Sequence, residues 1–231
     1  MSSDQALYGL VGAGGHGREV MPLVRTQLAS ILSSGAARLV FVVENDVGGR
    51  NVNGIPVMGL DEFLDSRSPK FFNVAIAAGD ARQRIALNCE ACGAQPFSII
   101  AATAIIHDDV EIGPGAILCP FAIVQSNSRI GRYFHANSYS SIAHDCVVGD
   151  YVTLGPRATC NGRGRIGNHA YIGSGAVIRE GTPERAMVIG DRAIVGMGAI
   201  VTKPVAAGST VIGNPARLLE KLQSTDASCT R

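Results

Sequence analysis

Histidine exchanges its proton near neutral pH more readily than any other side chain, and this chain carries five: His16, His107, His135, His144 and His169. His144 is followed directly by Asp145, and Gly162 lies eighteen residues further on. A carboxylate beside an imidazole orients the ring and stabilises its protonated form, so the pair suits a general base. A main-chain N–H at Gly162, brought next to that base, would stabilise a tetrahedral oxyanion, and the missing side chain would leave room for the reacting group. His107-Asp108-Asp109 is the rival pair. A different chemistry is written at the start of the chain, where Gly12-Ala13-Gly14-Gly15-His16-Gly17 has G-x-G-x-x-G spacing. Such a loop presents backbone N–H groups to a phosphate, and His16 adds a side-chain donor.

Residues eighteen apart meet only if the chain coils with that period. From Ile106 to Ile178 an aliphatic or small residue falls on every sixth position, with a second inward candidate four residues after each. Gly113, Gly131, Gly149, Gly155, Gly167 and Gly173 follow directly after the first set, and a left-handed turn is expected at that slot. No helix has a period of six, whereas short strands winding three to a lap do, and such laps bury their apolar edges only by stacking. The pattern predicts a parallel β-helix of triangular section. His144 then sits two residues past inward Ile142, on an outward corner, and Gly162 stacks above it about 4.8 Å away. His107 falls one step off the equivalent slot. After Ile178 the next aliphatic position is Ile189, so Arg179 to Met187 forms an outward loop before Val195 and Val201 resume the coil. Ala216 to Leu222 reads as a short terminal helix.

Before the repeats the order is β-α-β-α-β, with strands at Leu7–Val11, Arg38–Val43 and Asn73–Ala77 and a helix from Ala81 to about Cys92. This is half of a doubly wound dinucleotide fold. The acidic cluster Glu44-Asn45-Asp46 lies nearly thirty residues past the last glycine, rather than about twenty. Both facts favour a mononucleotide or nucleotide sugar over a dinucleotide.

With the glycine loop, the repeats and Gly213-Asn214-Pro215-Ala216-Arg217, the chain resembles the hexapeptide-repeat acyltransferases over nearly its whole length. The branch concerned contains bacterial nucleotide-amino-sugar N-acetyltransferases and sialic acid O-acetyltransferases. The resemblance implies a left-handed coil, an exception to the usual right-handed crossover. It implies acetyl-CoA as co-substrate and a homotrimer with its active site between adjacent prisms. The N-terminal domain would hold the nucleotide and aim the sugar at a neighbouring β-helix. It marks His144-Asp145 as the catalytic pair, and Gly14, His16, Asp46, Gly79 and Arg82 as nucleotide-site candidates beside Gly12 and Gly17 of the loop. Asn137 matches a position that contacts the thiol arm of coenzyme A. Gly155 and Gly173 stack above Asn137 and either keep a groove open or serve the turn, and Arg217 is a candidate for a coenzyme phosphate. Where some relatives carry a second histidine near the substrate, this chain has Thr153.

Hydrophobic residues make up 46 % of the 231 and charged ones 17 %, a composition for a filled core. The formal net charge of +1 argues against a nucleic-acid partner held by bulk positive charge. No apolar run approaches the roughly 18 residues of a membrane span, and no signal pattern opens the chain, so a cytoplasmic protein is expected. Cys89 and Cys92 form a C-x-x-C without the second pair that zinc would want. Cys146 and Cys160 fall on inward positions, which makes them poor nucleophiles and favours direct attack without an acyl-enzyme. The expected organisation is an α/β nucleotide-sugar domain over 1–100, a left-handed β-helix over 101–222 and a frayed tail over 223–231. The expected activity is acetyl-CoA-dependent N-acetylation of a nucleotide-linked 4-amino-4,6-dideoxy sugar in glycan biosynthesis, without a metal. Sialic-acid-type O-acetylation is the alternative. A β-helical carbonic anhydrase would need converging histidines, but His135 and His144 are nine apart and off the stacking period.

Overall fold

The computed structural model describes residues 5–44 and 50–219. Its N-terminal part runs β1 (Ala6–Val11), α1 (Gly15–Gln27), α2 (Ala29–Ser33), β2 (Ala37–Val43), β3 (Asn51–Val52), β4 (Ile55–Gly59), α3 (Leu60–Asp65), β5 (Lys70–Val74), α4 (Gly79–Ala91) and β6 (Gln95–Pro96). These strands make one sheet in the order β3-β4-β2-β1-β5-β6, parallel except for the β3–β4 hairpin. The hairpin and α3 had no forecast, because Asn53-Gly54 closes strands too short for an alternating pattern to show. β1 and β2 are nearly continuous apolar runs, as strands covered on both faces must be.

From Ile99 onward the chain winds into a left-handed parallel β-helix. Among the described residues its two- and three-residue strands stack into sheets of eight, six and five, here the first, second and third faces. Neighbours in each sheet of the repeat region are eighteen residues apart, as with His135 beside Thr153 and Ser141 beside Thr159. The inward set from Leu118 through Ile178 is buried, and Ala116, Phe134, Val152, Ala170 and Ala176 fill the space between. Each buried aliphatic contributes about 1.5–3 kcal/mol, which explains why laps stack rather than splay. Ile106, in the opening lap, is 40 % exposed because no further lap among the described residues covers that end of the prism.

The left-handed corners fall elsewhere than the glycine slot. Positive φ recurs three residues after the inward aliphatic, at Asp109, Phe121, Asn127, Tyr133, Tyr139, Asp145, Tyr151, Arg157, Arg163 and His169. The repeated glycines answer a different constraint. A Cβ on Gly131 or Gly149 would lie 2.4–2.8 Å from atoms of the lap above, so close stacking excludes any side chain there. The terminal helix is also replaced, since Arg217–Leu218 is a strand antiparallel to Thr210–Ile212.

The two parts pack tightly on one another. Tyr133, Tyr151 and His169 stack ring on ring at 5.4 and 5.2 Å along the corner between the third and first faces. Glu90 of α4 accepts from the Tyr133 hydroxyl at 2.6 Å, and Asn73 of β5 donates to the carbonyls of Phe97 and Gly115.

Candidate active site

His144 occupies the corner between the second and third faces, directly after Ser141–Ile142 and before Val147–Val148. Its side chain is 41 % exposed, so the ring stands outside the prism as the spacing required. Nδ1 lies 2.8 Å from Asp145 Oδ2. Asp145 has φ 59°, the left-handed corner that turns its carboxylate back toward the ring. Asn127, one lap below, donates to the other carboxylate oxygen at 3.3 Å. The bond with His144, and then that from Asn127, hold the Asp145 carboxyl below its ordinary range. An anionic acceptor on Nδ1 keeps the ring proton there and leaves Nε2 with its lone pair facing outward.

Gly162 lies directly above. A Cβ built on it would sit 2.6 Å from both Cε1 and Nε2 of His144, so the imidazole occupies the space a side chain would need. The Gly162 carbonyl accepts from Gly181 N–H at 2.9 Å, whereas its own N–H donates to no acceptor among the described residues. His144, Asp145 and Gly162 are thus brought together as their spacing predicted.

Two further residues join them. Glu180 Oε1 lies 3.7 Å from His144 Nε2 and pairs with Arg163. Glu180 is thirty-six residues past His144, two full laps, so the same arithmetic that found Gly162 also reaches it. The loss of register after Ile178 concealed this, because the protruding loop begins there. Cys146 and Cys160 are wholly buried inside the prism below this corner, out of reach of any substrate.

The glycine loop lies at the other end of the molecule's logic. Gly12 has φ 107°, and a Cβ on Gly17 would fall 1.8 Å from the Gly12 carbonyl oxygen, so both are fixed by the tight turn. Gly14 and Gly15 face open space, and no side chain caps the start of α1, which leaves its N–H groups free for an anion. His16 turns toward the domain junction. Its ring is 5.3 Å from that of His135, its buried Nε2 has no partner among the described residues, and burial lowers its pKa. Asp46 lies outside the described residues. Gly79, at the start of α4, is pressed against the β-helix, since a Cβ there would meet the Tyr151 carbonyl at 2.9 Å and His169 Nδ1 at 3.0 Å. Beside it opens a cavity of about 360 Å3 lined by Asp80, Thr153, His169, Tyr171 and Arg192, with Asp80 paired to Arg192.

Arg82 corrects an expectation. Instead of facing a nucleotide it is fully buried at the domain junction. Its guanidinium donates to the carbonyls of Ile76, Ala77, Tyr151 and Val152 and to the Thr153 hydroxyl. Burial lowers its pKa to about 9, which leaves it a cation at neutral pH. Thr153, in the slot of the second histidine, donates its own hydroxyl to the Ala77 carbonyl at 3.0 Å. His135 is buried on the first face with Nδ1 3.4 Å from Arg82, so it and His144 point to different sides of the prism and share no ion.

Asn137 donates to the Leu154 carbonyl at 2.7 Å, closing its own corner. Gly155 and Gly173 are bare because a Cβ would lie 2.6 Å from the backbone nitrogens of Ser174 and Met197 in the next lap. Close stacking thus requires a bare position at both. Arg217 is exposed on the terminal strand and bonds the Ala216 carbonyl at 3.1 Å. Cys89 is buried in α4 with its thiol pushed up to about 12 by burial, an inert member of the C-x-x-C pair.

Comparison with known proteins adds an independent line. Residues 9–90 match the family model described as the PglD N-terminal domain. The GDP-perosamine N-acetyltransferase of Escherichia coli O157:H7 is 48 % identical over 218 residues, which is 93 % of this chain and 97 % of that protein. The solved structure of WeeI from Acinetobacter baumannii AYE superposes with a TM-score of 0.89 at 46 % identity, covering 93 % of this chain and 100 % of WeeI. The acetyltransferase domain of PglB from Neisseria gonorrhoeae FA1090, solved with acetyl coenzyme A, gives 0.80 at 31 % identity over 93 % of this chain and 100 % of that one.

Proposed function

This chain belongs to the hexapeptide-repeat nucleotide-amino-sugar N-acetyltransferases, and from that membership we propose that it acetylates the amino group of a GDP-linked 4-amino-4,6-dideoxyhexose in the cytoplasm, with GDP-perosamine as the first candidate acceptor. The enzyme is acetyl-CoA dependent. The observation that carries the mechanism is the pairing of an outward Nε2, backed by Asp145, with the bare Gly162 against it. The amine nitrogen attacks the thioester carbonyl carbon while its proton passes to Nε2. The Gly162 N–H takes the developing oxyanion, and the tetrahedral species collapses with cleavage of the C–S bond. The imidazolium then returns the proton to the sulfur. The GDP assignment follows the E. coli relative, whose name specifies that nucleotide.

The test is an acetylation assay with GDP-, UDP- and dTDP-linked 4-amino-4,6-dideoxyhexoses beside free sialic acid, with products identified by mass spectrometry. Amide formation on a GDP-linked acceptor is the expected result. Ester formation on sialic acid alone would overturn the proposal in favour of O-acetylation.

The chemistry requires a second copy of the chain. The glycine loop belongs to a domain docked on the first face, whereas His144 stands on the corner opposite that face. Support for self-association comes from the corner between the first and second faces, where Phe121 and Tyr139 stack at 4.9 Å while 46 % and 55 % exposed. Light scattering is expected to return three times the chain mass, and a monomer at working concentration would contradict a shared site.

A further inference from the structure

We propose that Glu180 recognises the protonated amino group of the acceptor, and thereby selects amine over hydroxyl acceptors. The inference rests on the N-acetylation reading above. A sugar amine arrives at neutral pH as an ammonium ion and must surrender a proton before it can attack. The base atom is Nε2, so the amine nitrogen has to approach that atom. Glu180 Oε1 stands 3.7 Å from it, too far for a bond between the two but spaced so that a nitrogen about 2.9 Å from each fits between them.

Three features hold the carboxylate there. Gly162 separates the two residues along the stack, and its absent side chain lets Glu180 reach past it, since a Cβ would lie 3.2 Å from Oε1. Arg163 pairs with the same oxygen and fixes its position. Gly181, the next residue, is pinned by its N–H bond to the Gly162 carbonyl, and a Cβ on it would meet the Arg163 carbonyl oxygen at 2.8 Å. The loop after Ile178 thus begins as a braced extension of the corner, not as a loose excursion.

The carboxylates of Asp145 and Glu180 flank the imidazole, with Arg163 paired to the latter, while Arg165, Glu184 and Arg185 line the adjoining cavity. In the reaction one ammonium proton leaves to solvent, the second passes to Nε2 as the C–N bond forms, and the C–S bond breaks with return of that proton to sulfur.

The experiment compares wild type with Glu180→Gln, an isosteric and exposed change whose melting temperature should match. The KM for the amino sugar is expected to rise about tenfold or more, as loss of a charge-assisted contact implies. The KM for acetyl-CoA should stay unchanged. The gap in kcat/KM between the two proteins should narrow as pH rises through the amine's own pKa, where the ammonium is lost. By calorimetry, the 4-hydroxy counterpart of the nucleotide sugar should bind both proteins equally. Wild-type N-acetylation with an unaltered KM in E180Q, or a gap independent of pH, overturns the role of Glu180 alone. Wild-type acetylation of hydroxyl acceptors only overturns the N-acetylation reading and the ammonium site with it.

Discussion

Replacing His144 with alanine is expected to lower turnover by about 10²- to 10⁴-fold, the usual worth of a positioned general base. Nucleotide-sugar affinity, read by calorimetry, should persist, because the ring projects from an open corner and supports no part of the glycine loop. Gly162→Ala should reproduce much of the loss while keeping the imidazole, since its Cβ would fall 2.6 Å from Nε2 and push the ring off Asp145. An alanine variant at 144 within tenfold of wild type would remove this residue from the chemistry.

The second large effect concerns stability. Arg82→Leu strips a donor from the carbonyls of Ile76, Ala77, Tyr151 and Val152. Those of Ala77 and Val152 keep the Thr153 hydroxyl and the His135 N–H, while those of Ile76 and Tyr151 lose their side-chain donor at a cost of about 1–3 kcal/mol each. A net loss on the order of 3 kcal/mol is expected, seen as a lowered melting temperature and faster proteolysis between residues 96 and 99. Arg82→Lys should recover only part of it, because an ammonium cannot span four carbonyls as a planar guanidinium does. A phosphate-binding arginine would behave otherwise, raising the KM for the nucleotide sugar with melting unchanged, and that result would restore the original expectation for this position.

These two residues also mark what a reader of the bare sequence can and cannot reach. The six-residue period exposes the prism, because inward side chains are chosen by burial at every turn, and eighteen-residue arithmetic then finds Gly162 beside His144. Arg82 escapes it, since a lone arginine on a helix reads as solvated and only the docking of α4 against the first face buries it. The corner geometry was legible in period but not in phase. Bulky Tyr133, Tyr151 and His169 accept positive φ three positions after the aliphatic, while the glycines answer to crowding from the lap above. The strand at Arg217–Leu218 replaced a forecast helix because an edge of the last coil, Thr210–Ile212, offered backbone partners that local propensity does not register.

The protruding loop shows where this architecture tolerates a change in chain length. Eleven residues separate Ile178 from Ile189 in place of six, yet Gly164–Ile166 still pairs with Met187–Ile189 and the winding continues undisturbed. Extra residues at a vertex bulge outward and cost the prism nothing, whereas one added within a strand would reverse which side chains point inward from there on. A whole lap inserted between 144 and 162 would keep every side chain facing the correct way but lift the bare glycine one storey, about 4.8 Å, from the imidazole. The molecule behaves as a spiral stair whose landings can be widened freely, while the catalytic landing depends on the count of treads beneath it.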